Sequence, residues 1–211
     1  QELALGFTIT GHVAAERMLR KGGLRPGDRL VLTKPLGTGT LLAAEMQGRA
    51  KAPWIEAALA TMLLPAGEAA ACLGRHGATA CTDVTGFGLL GHLLEMLRAS
   101  NLDATLDQGA LPAIEGAEVT LGQGIVSTLH AANAGFLTAL DGPADALLLD
   151  PQTAGGLLAG VPPERADACV TELRAAGYAR ATVIGSVDVR SGAEPRVRMA
   201  EADGNRTHRP W

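Results

Sequence analysis

The sequence predicts a mixed α/β (α+β) fold, a layered domain in which a mixed sheet is flanked by helices. Strand-like and helix-like segments alternate along the chain without a strict βαβ rhythm. Apolar residues make up 47% of the chain but aromatics only 3%, so the core has to be built from Ala, Leu and Val. The 27 glycines in 211 residues exceed ordinary usage and point to tight turns or backbone-lined sites. Ala and Gly, with a methyl group or no side chain at all, let helices sit close to a sheet.

The elements follow in order. Leu3 to Val13 is apolar and β-branched and reads as a strand. A short helix or turn follows and ends at Gly22-Gly23. Pro26-Gly27-Asp28 makes a turn into a strand over Arg29 to Thr33, and the chain then enters a glycine loop at Gly37 and Gly39. Helical patterning covers Leu41 to Met46, Pro53 to Leu63 with Pro53 at N1, and Gly67 to Leu73. Ala78 to Val84 reads as a strand, Leu89 to Leu97 as an amphipathic helix, and Leu102 to Asp107 as a strand of period two. Residues 109–128 read as a connection with weak periodicity. "STLHAANAGFLTAL" is expected to be helical toward its C-terminal end. "ADALLLDPQTAGGLLAGV" reads as a strand, a polar turn and a second apolar segment. A helix starts at a proline after Val161 and ends at Gly177, and "ATVIGSVDV" is a strand. From Ser191 the chain is polar and reads as a disordered tail.

Charge and cysteines narrow the function classes. A net charge of -4 gives no electrostatic reason to expect nucleic acid or an acidic membrane as partner. No apolar run approaches the roughly 20 residues needed to span a bilayer. Cys72, Cys81 and Cys169 form no C-x-x-C and are odd in number, which favours buried thiols in a reducing, cytoplasmic compartment. The chain starts without Met, without a basic n-region and on a strand-like segment, so it is expected to be a piece of something longer.

"CTDVTGFGLLGHLLEML" (Cys81 to Leu97) carries the chemistry. Gly86, Gly88 and Gly91 have G-x-G-x-x-G spacing between a strand and a helix, and a second strand ends at Asp107, about 20 residues on. That is the layout of a dinucleotide-binding turn. Asp83, three residues before Gly86, opposes this reading, because a bare carboxylate repels a pyrophosphate unless a divalent cation such as Mg²⁺ lies between them. A third reading makes Asp83 and Thr85 helix N-caps. From spacing alone all three stay open.

Three strings in order resemble the selenophosphate synthetase (selenide, water dikinase) family. They are Thr82 to His92 ("TDVTGFGLLGH"), Gly27 to Gly39 ("GDRLVLTKPLGTG") and Leu147 to Leu158 ("LLLDPQTAGGLL"), where the family usually has Ser in place of Ala154. "GFTITGHV" is similar to the last strand of that family's N-terminal domain, and the resemblance covers about residues 3 to 190. "MLLPAGEAA" departs from the family, which commonly has Asn near Ala66 or Gly67.

The resemblance implies an aminoimidazole ribonucleotide synthetase C-terminal-domain-like fold. Residues 1–25 are then a remnant of an N-terminal ATP-binding domain, 26–190 the C-terminal domain and 191–211 the tail. The family makes selenophosphate, AMP and phosphate from ATP, selenide and water, with Mg²⁺ and usually K⁺. Its catalytic Cys or selenocysteine and Lys belong to the N-terminal domain, so none of the catalytic residues lies in this chain, which is expected to be inactive alone and homodimeric only as part of a full-length enzyme. Asp83 carries over as a Mg²⁺ ligand, and Thr85, Gly86, Gly88 and Lys34 as residues lining the nucleotide cleft. For Lys34, a solvated or salt-bridged side chain is the competing reading. His92 reads as packed or capping, Asn133 as an N-cap or a cleft residue, and Asp150 as a turn-forming Asp before Pro or a second metal ligand. The alternatives are a non-catalytic scaffold of the same fold and a sister ATP-dependent enzyme.

Overall fold

The computed structural model describes residues 6, 8 and 10–200. The strands are β1 (Arg29–Leu32), β2 (Ala80–Asp83), β3 (Leu102–Asp107), β4 (Leu140–Asp141), β5 (Leu157–Val161), β6 (Thr182–Val189) and β7 (Val197–Ala200). The helices are α1 (Thr38–Met46), α2 (Ala52–Leu63), α3 (Gly67–Arg75), α4 (Gly88–Ser100), α5 (Ala117–Gly122), α6 (His130–Asn133) and α7 (Pro163–Ala175). All seven strands share one sheet in the order β2-β5-β1-β6-β3-β7-β4. Pairing is antiparallel from β2 across to β3 and parallel from β3 through β7 to β4, which makes the sheet mixed, as expected.

Side-chain alternation builds a layer on each face. Leu30 and Leu32 of β1 face one core and Val31 faces the other. α4 covers the first face with Leu89, Leu90, Leu93, Leu94 and Leu97, all fully buried. Truncating one of these to Ala would cost about 2–5 kcal/mol. α4 stops at Asn101, whose φ of 57° is the left-handed conformation that ends helices. α3 and α7 cover the second face through Cys72, Leu73, Cys169 and Leu173. The three cysteines are free and buried, as the sequence predicts. Beside these layers, Leu41, Trp54, Ala58, Ile114 and Ala117 join α1, α2 and α5.

Several expectations are corrected. α5 forms within the stretch read as a connection, too short to show periodicity, with Thr120 Oγ1 bonding back to Gly116 O and Ala117 O. "ALLL" is not a strand: Ala146–Leu148 is a 3₁₀ turn, started by Asp145 Oδ1 accepting from Leu147 N at 2.8 Å. An apolar run of that length cannot distinguish the two by pattern. In "STLHAANAGFLTAL" the expected helical turns are present, from His130 to Ala139, and only the last residue enters β4. The polar tail begins later than expected, because Asp103 accepts bonds from Ser191 N, Ser191 Oγ and Arg196 N and so delivers β7 to the sheet beside β3. Of the strand expected over Leu3 to Val13, Thr10 to Val13 join no sheet, and most of the rest, like residues 201–211, lies outside the described residues.

Topology excludes the dinucleotide reading. A dinucleotide-binding βαβ unit places its two strands in one parallel array. Here β2 is at the sheet edge, and β5, β1 and β6 separate it from β3.

Candidate functional site

The three sequence motifs meet at one edge of the sheet, where β1 and β2 end and β5 begins. Thr33 N donates to Leu157 O at 3.0 Å, and Leu157 N returns a bond to Thr33 Oγ1 at 2.8 Å. Val84 N donates to Gly156 O at 2.8 Å and Gln152 N to Thr85 O at 2.9 Å. Gln152 Oε1 then accepts from Gly37 N, Thr38 N and Thr38 Oγ1, at 3.0, 3.2 and 3.1 Å. The stretch from Asp150 to Gly156 is thus stitched to the loop after β1 on one side and the loop after β2 on the other.

Asp83 ends β2 and is exposed, in contrast to Ala80, Cys81 and Thr82 before it. Among the described residues no hydrogen bond or ion pair reaches its carboxylate. The capping reading fails, since Phe87 is the N-cap of α4 and no side chain caps that helix. Asp83 is a hard oxygen donor left free beside a loop.

The glycines divide by role. Gly88 has a φ of 66°, and a Cβ there would lie 2.7 Å from Leu148 O and 2.9 Å from Leu149 C. Gly88 therefore packs against the 147–149 turn and does not open the backbone to a ligand. A Cβ on Gly91 would lie 2.6 Å from both Phe136 Cε2 and Phe87 Cβ, which makes it the close-packing glycine. Gly86 meets nothing nearer than Leu129 Cδ1 at 3.9 Å, so it is the glycine whose surroundings are open.

Thr85 faces His92, with Oγ1 3.2 Å from Nε2. His92 is buried, and burial holds its pKa below the usual imidazole value against the pull of Glu95 and Asp83. Its Nδ1 lies 3.2 Å from Glu95 Oε2 but off the hydrogen-bonding direction, and Glu95 pairs with Lys21 at 2.8 Å. His92 is thus a packed group that positions Thr85. Asn133 stands at the N-cap position of the 3₁₀ segment Ala134–Ala139, but its side chain does not cap it: Nδ2 donates to Gly86 O and Leu149 O, each at 2.9 Å, fastening the loop to the turn beneath it.

Lys34 is neither solvated nor salt-bridged. It is 3% exposed, and its Nζ donates to Ala154 O at 3.0 Å. Ala154 holds a φ of 49°, an uncommon conformation for a side-chain-bearing residue. Burial lowers the Lys34 pKa, and no carboxylate pairs with it among the described residues. A cation in that setting is complementary to an anion.

Asp150, read as a turn residue or metal ligand, is fully buried beneath α1. Its Oδ2 accepts from Gly39 N at 3.1 Å and Gln152 Nε2 at 3.0 Å, and Oδ1 has no partner among the described residues. Burial pushes its pKa up to about 7 despite these bonds. It is an anchor for the start of α1. Its role was invisible in sequence, although Gly39 held a clue: a Cβ there would sit 2.7 Å from Asp150 Oδ1.

The chain is similar to known proteins over most of its length. The chain is 41% identical over 192 residues to the selenide, water dikinase of Burkholderia ambifaria, covering 86% of this chain and 53% of that protein. It is 37% identical over 198 residues to the selenide, water dikinase of Geobacter metallireducens, covering 91% and 58%. The chain therefore spans a little over half the length of the curated relatives it matches. Among solved structures, hydrogenase maturation protein HypE in complex with ATP superposes with a TM-score of 0.64 at 21% identity, over 90% of this chain and 52% of that one. Thiamine-monophosphate kinase from Stenotrophomonas maltophilia K279a superposes with a TM-score of 0.61 at 22% identity, over 88% and 54%. These two share the fold. The family model described as AIR synthase related protein, C-terminal domain, matches residues 25–198, and the chain belongs to that family.

Proposed function

We propose that this chain is the C-terminal domain of a selenide, water dikinase, an enzyme that makes selenophosphate, AMP and phosphate from ATP, selenide and water. The observation that carries the reading is the free, exposed Asp83 where three motifs converge, in a chain 41% identical over 86% of its length to a protein of that name. Residues 1–25 are then the end of an N-terminal ATP-binding domain, and the C-terminal domain starts near residue 26 and runs through β7. The complete enzyme is a cytoplasmic homodimer, and the nucleophile-bearing half lies upstream of the residues described.

The residues present fit Mg²⁺. Asp83 offers a hard carboxylate oxygen that no other group occupies among the described residues, and Mg²⁺ is commonly held by one or two carboxylates together with phosphate oxygens. Bound there, the ion would neutralise charge on the phosphates of ATP. Around it, the open backbone at Gly86 and the hydroxyl of Thr85 line the approach, and the Lys34 ammonium adds positive potential. Gly88 supports the loop from below. K⁺ is a further cation of the complete enzyme, with no residue of this chain assigned to it.

The test is AMP release dependent on both ATP and selenide. The 211-residue chain alone is expected to release none, and the full-length enzyme is expected to be active. Selenide-dependent turnover by the chain alone, or wild-type turnover in full-length Asp83→Asn, would overturn the proposal.

A further inference from the structure

α3 and α7 pack side by side on the second face of the sheet, and their contact line carries groups that the proposed ATP chemistry does not use. Cys72 lies in α3 and His76 caps its end, four residues apart and so on one side of the helix. Glu172 reaches them from α7. One donor atom from each of the three lies within 4.8 Å of the other two. Glu172 Oε2 is 2.7 Å from His76 Nε2, while its Oε1 accepts from Arg75 Nε at 2.9 Å and Nη2 at 2.5 Å. An ion pair accounts for Arg75, Glu172 and one ring nitrogen. It leaves His76 Nδ1 buried without a hydrogen-bond partner among the described residues, and the thiol beneath them makes only a long contact to Cys169 O, at 3.8 Å.

We propose that Cys72, His76 and Glu172 form a binding site for a borderline-soft divalent cation of the Zn²⁺ class. A thiolate, an imidazole and a carboxylate are the donor types zinc takes, and the thiol excludes Mg²⁺ as the natural occupant. Bond lengths of about 2.3 Å to sulfur and 2.0 Å to nitrogen or oxygen put tetrahedral ligands about 3.3–3.5 Å apart, within reach of side-chain rotation from the present spacing. Two anionic ligands cancel the charge of the ion, and three protein ligands leave one position for water. Arg75 holds the second carboxylate oxygen and so orients Glu172, the part an outer-shell group plays at a metal. Coordination releases the Cys72 thiol proton to solvent and takes a ring nitrogen in its unprotonated form. The Glu172 side chain is 40% exposed, so the ion enters at the rim, with Cys72 at the bottom.

The test uses the 211-residue chain, stripped with a chelator and titrated with Co²⁺ as a spectroscopic stand-in, then with Zn²⁺. One equivalent of Co²⁺ is expected to give a thiolate-to-cobalt charge-transfer band with the visible bands of a tetrahedral ion, and Zn²⁺ to abolish both and raise Tm. Cys72→Ser is expected to remove the charge-transfer band, and Cys81→Ser to leave it. Arg75→Gln should weaken binding about tenfold or more. Glu172→Gln, at a half-exposed position, should weaken it at least as much. The proposal is overturned by a folded chain that gives no charge-transfer band, by a band that survives Cys72→Ser, or by unchanged affinity in Glu172→Gln. The last variant decides the matter if Cys72→Ser fails to fold.

Discussion

Gln152 Oε1 accepts hydrogen bonds from both the backbone N–H and the hydroxyl of Thr38, at 3.2 and 3.1 Å, across 114 residues of sequence. The same oxygen takes Gly37 N, and Nε2 donates to Asp150 O at 2.7 Å. One side chain therefore satisfies the free amides at the start of α1 and ties down the turn before β5. Replacing it leaves several buried polar groups unpaired, each worth about 1–3 kcal/mol. Gln152→Leu is expected to lower the unfolding free energy by roughly 2–4 kcal/mol, read as a lower urea midpoint at unchanged m-value.

That clamp marks the boundary of what the sequence discloses. The motifs are legible as local strings, and β3 is legible because Leu102 to Asp107 alternates strictly. Their convergence is not, since the bonds between residues 37–38 and 152 depend on where β1 and β5 pair. Asp83 and Asp150 look alike in sequence, each an Asp at the start of a polar turn. Only the packing of α1 over Asp150 buries one, and only the end of β2 at the sheet edge exposes the other. β7 was unreadable for a similar reason: its four residues are delivered by Asp103, some 90 positions away.

The glycines of the loop should separate in mutagenesis. At Gly88 a methyl group meets Leu148 and Leu149 backbone and the positive φ adds strain, so Gly88→Ala is expected to cost about 2–4 kcal/mol. Gly91→Ala meets Phe136 and the Cβ of Phe87 and should cost about 1–3 kcal/mol. Gly86→Ala meets open space and should stay within about 0.5 kcal/mol of wild type. Chemical denaturation of the three variants gives the ranking directly. Equal losses at Gly86 and Gly88 would refute the division of roles.

Asp150 makes stability fall as pH rises. Burial raises its folded pKa to about 7, whereas an unfolded Asp titrates near 3.9. Between those values the folded chain holds a proton that the unfolded chain has lost. The stabilisation is complete below about pH 4 and is lost as pH approaches 7, a span of roughly 4 kcal/mol. His92 and His130, whose pKa values burial lowers, act in the opposite sense. The informative quantity is thus the difference between wild type and Asp150→Asn, whose side chain stays neutral. Wild type should lose ground against the variant steadily from pH 4 to 7, and a pH-independent difference would show that Asp150 is ionised in the folded state throughout.

Asp83 should uncouple stability from activity. Its carboxylate is exposed and makes no bond among the described residues, so Asp83→Asn removes nothing that the fold relies on. The Tm of the 211-residue chain should be unchanged, with a free-energy difference within about 0.5 kcal/mol. On the proposed function, the same change in the full-length enzyme would take a charged oxygen away from Mg²⁺ at the phosphates. Turnover should drop by at least about 100-fold, the scale on which single charge-stabilising groups act. Measuring ATP turnover against Mg²⁺ concentration distinguishes ligation from general electrostatics. Loss of a ligand should raise the Mg²⁺ required for half-maximal rate, whereas a remote charge effect would lower the rate without moving that midpoint.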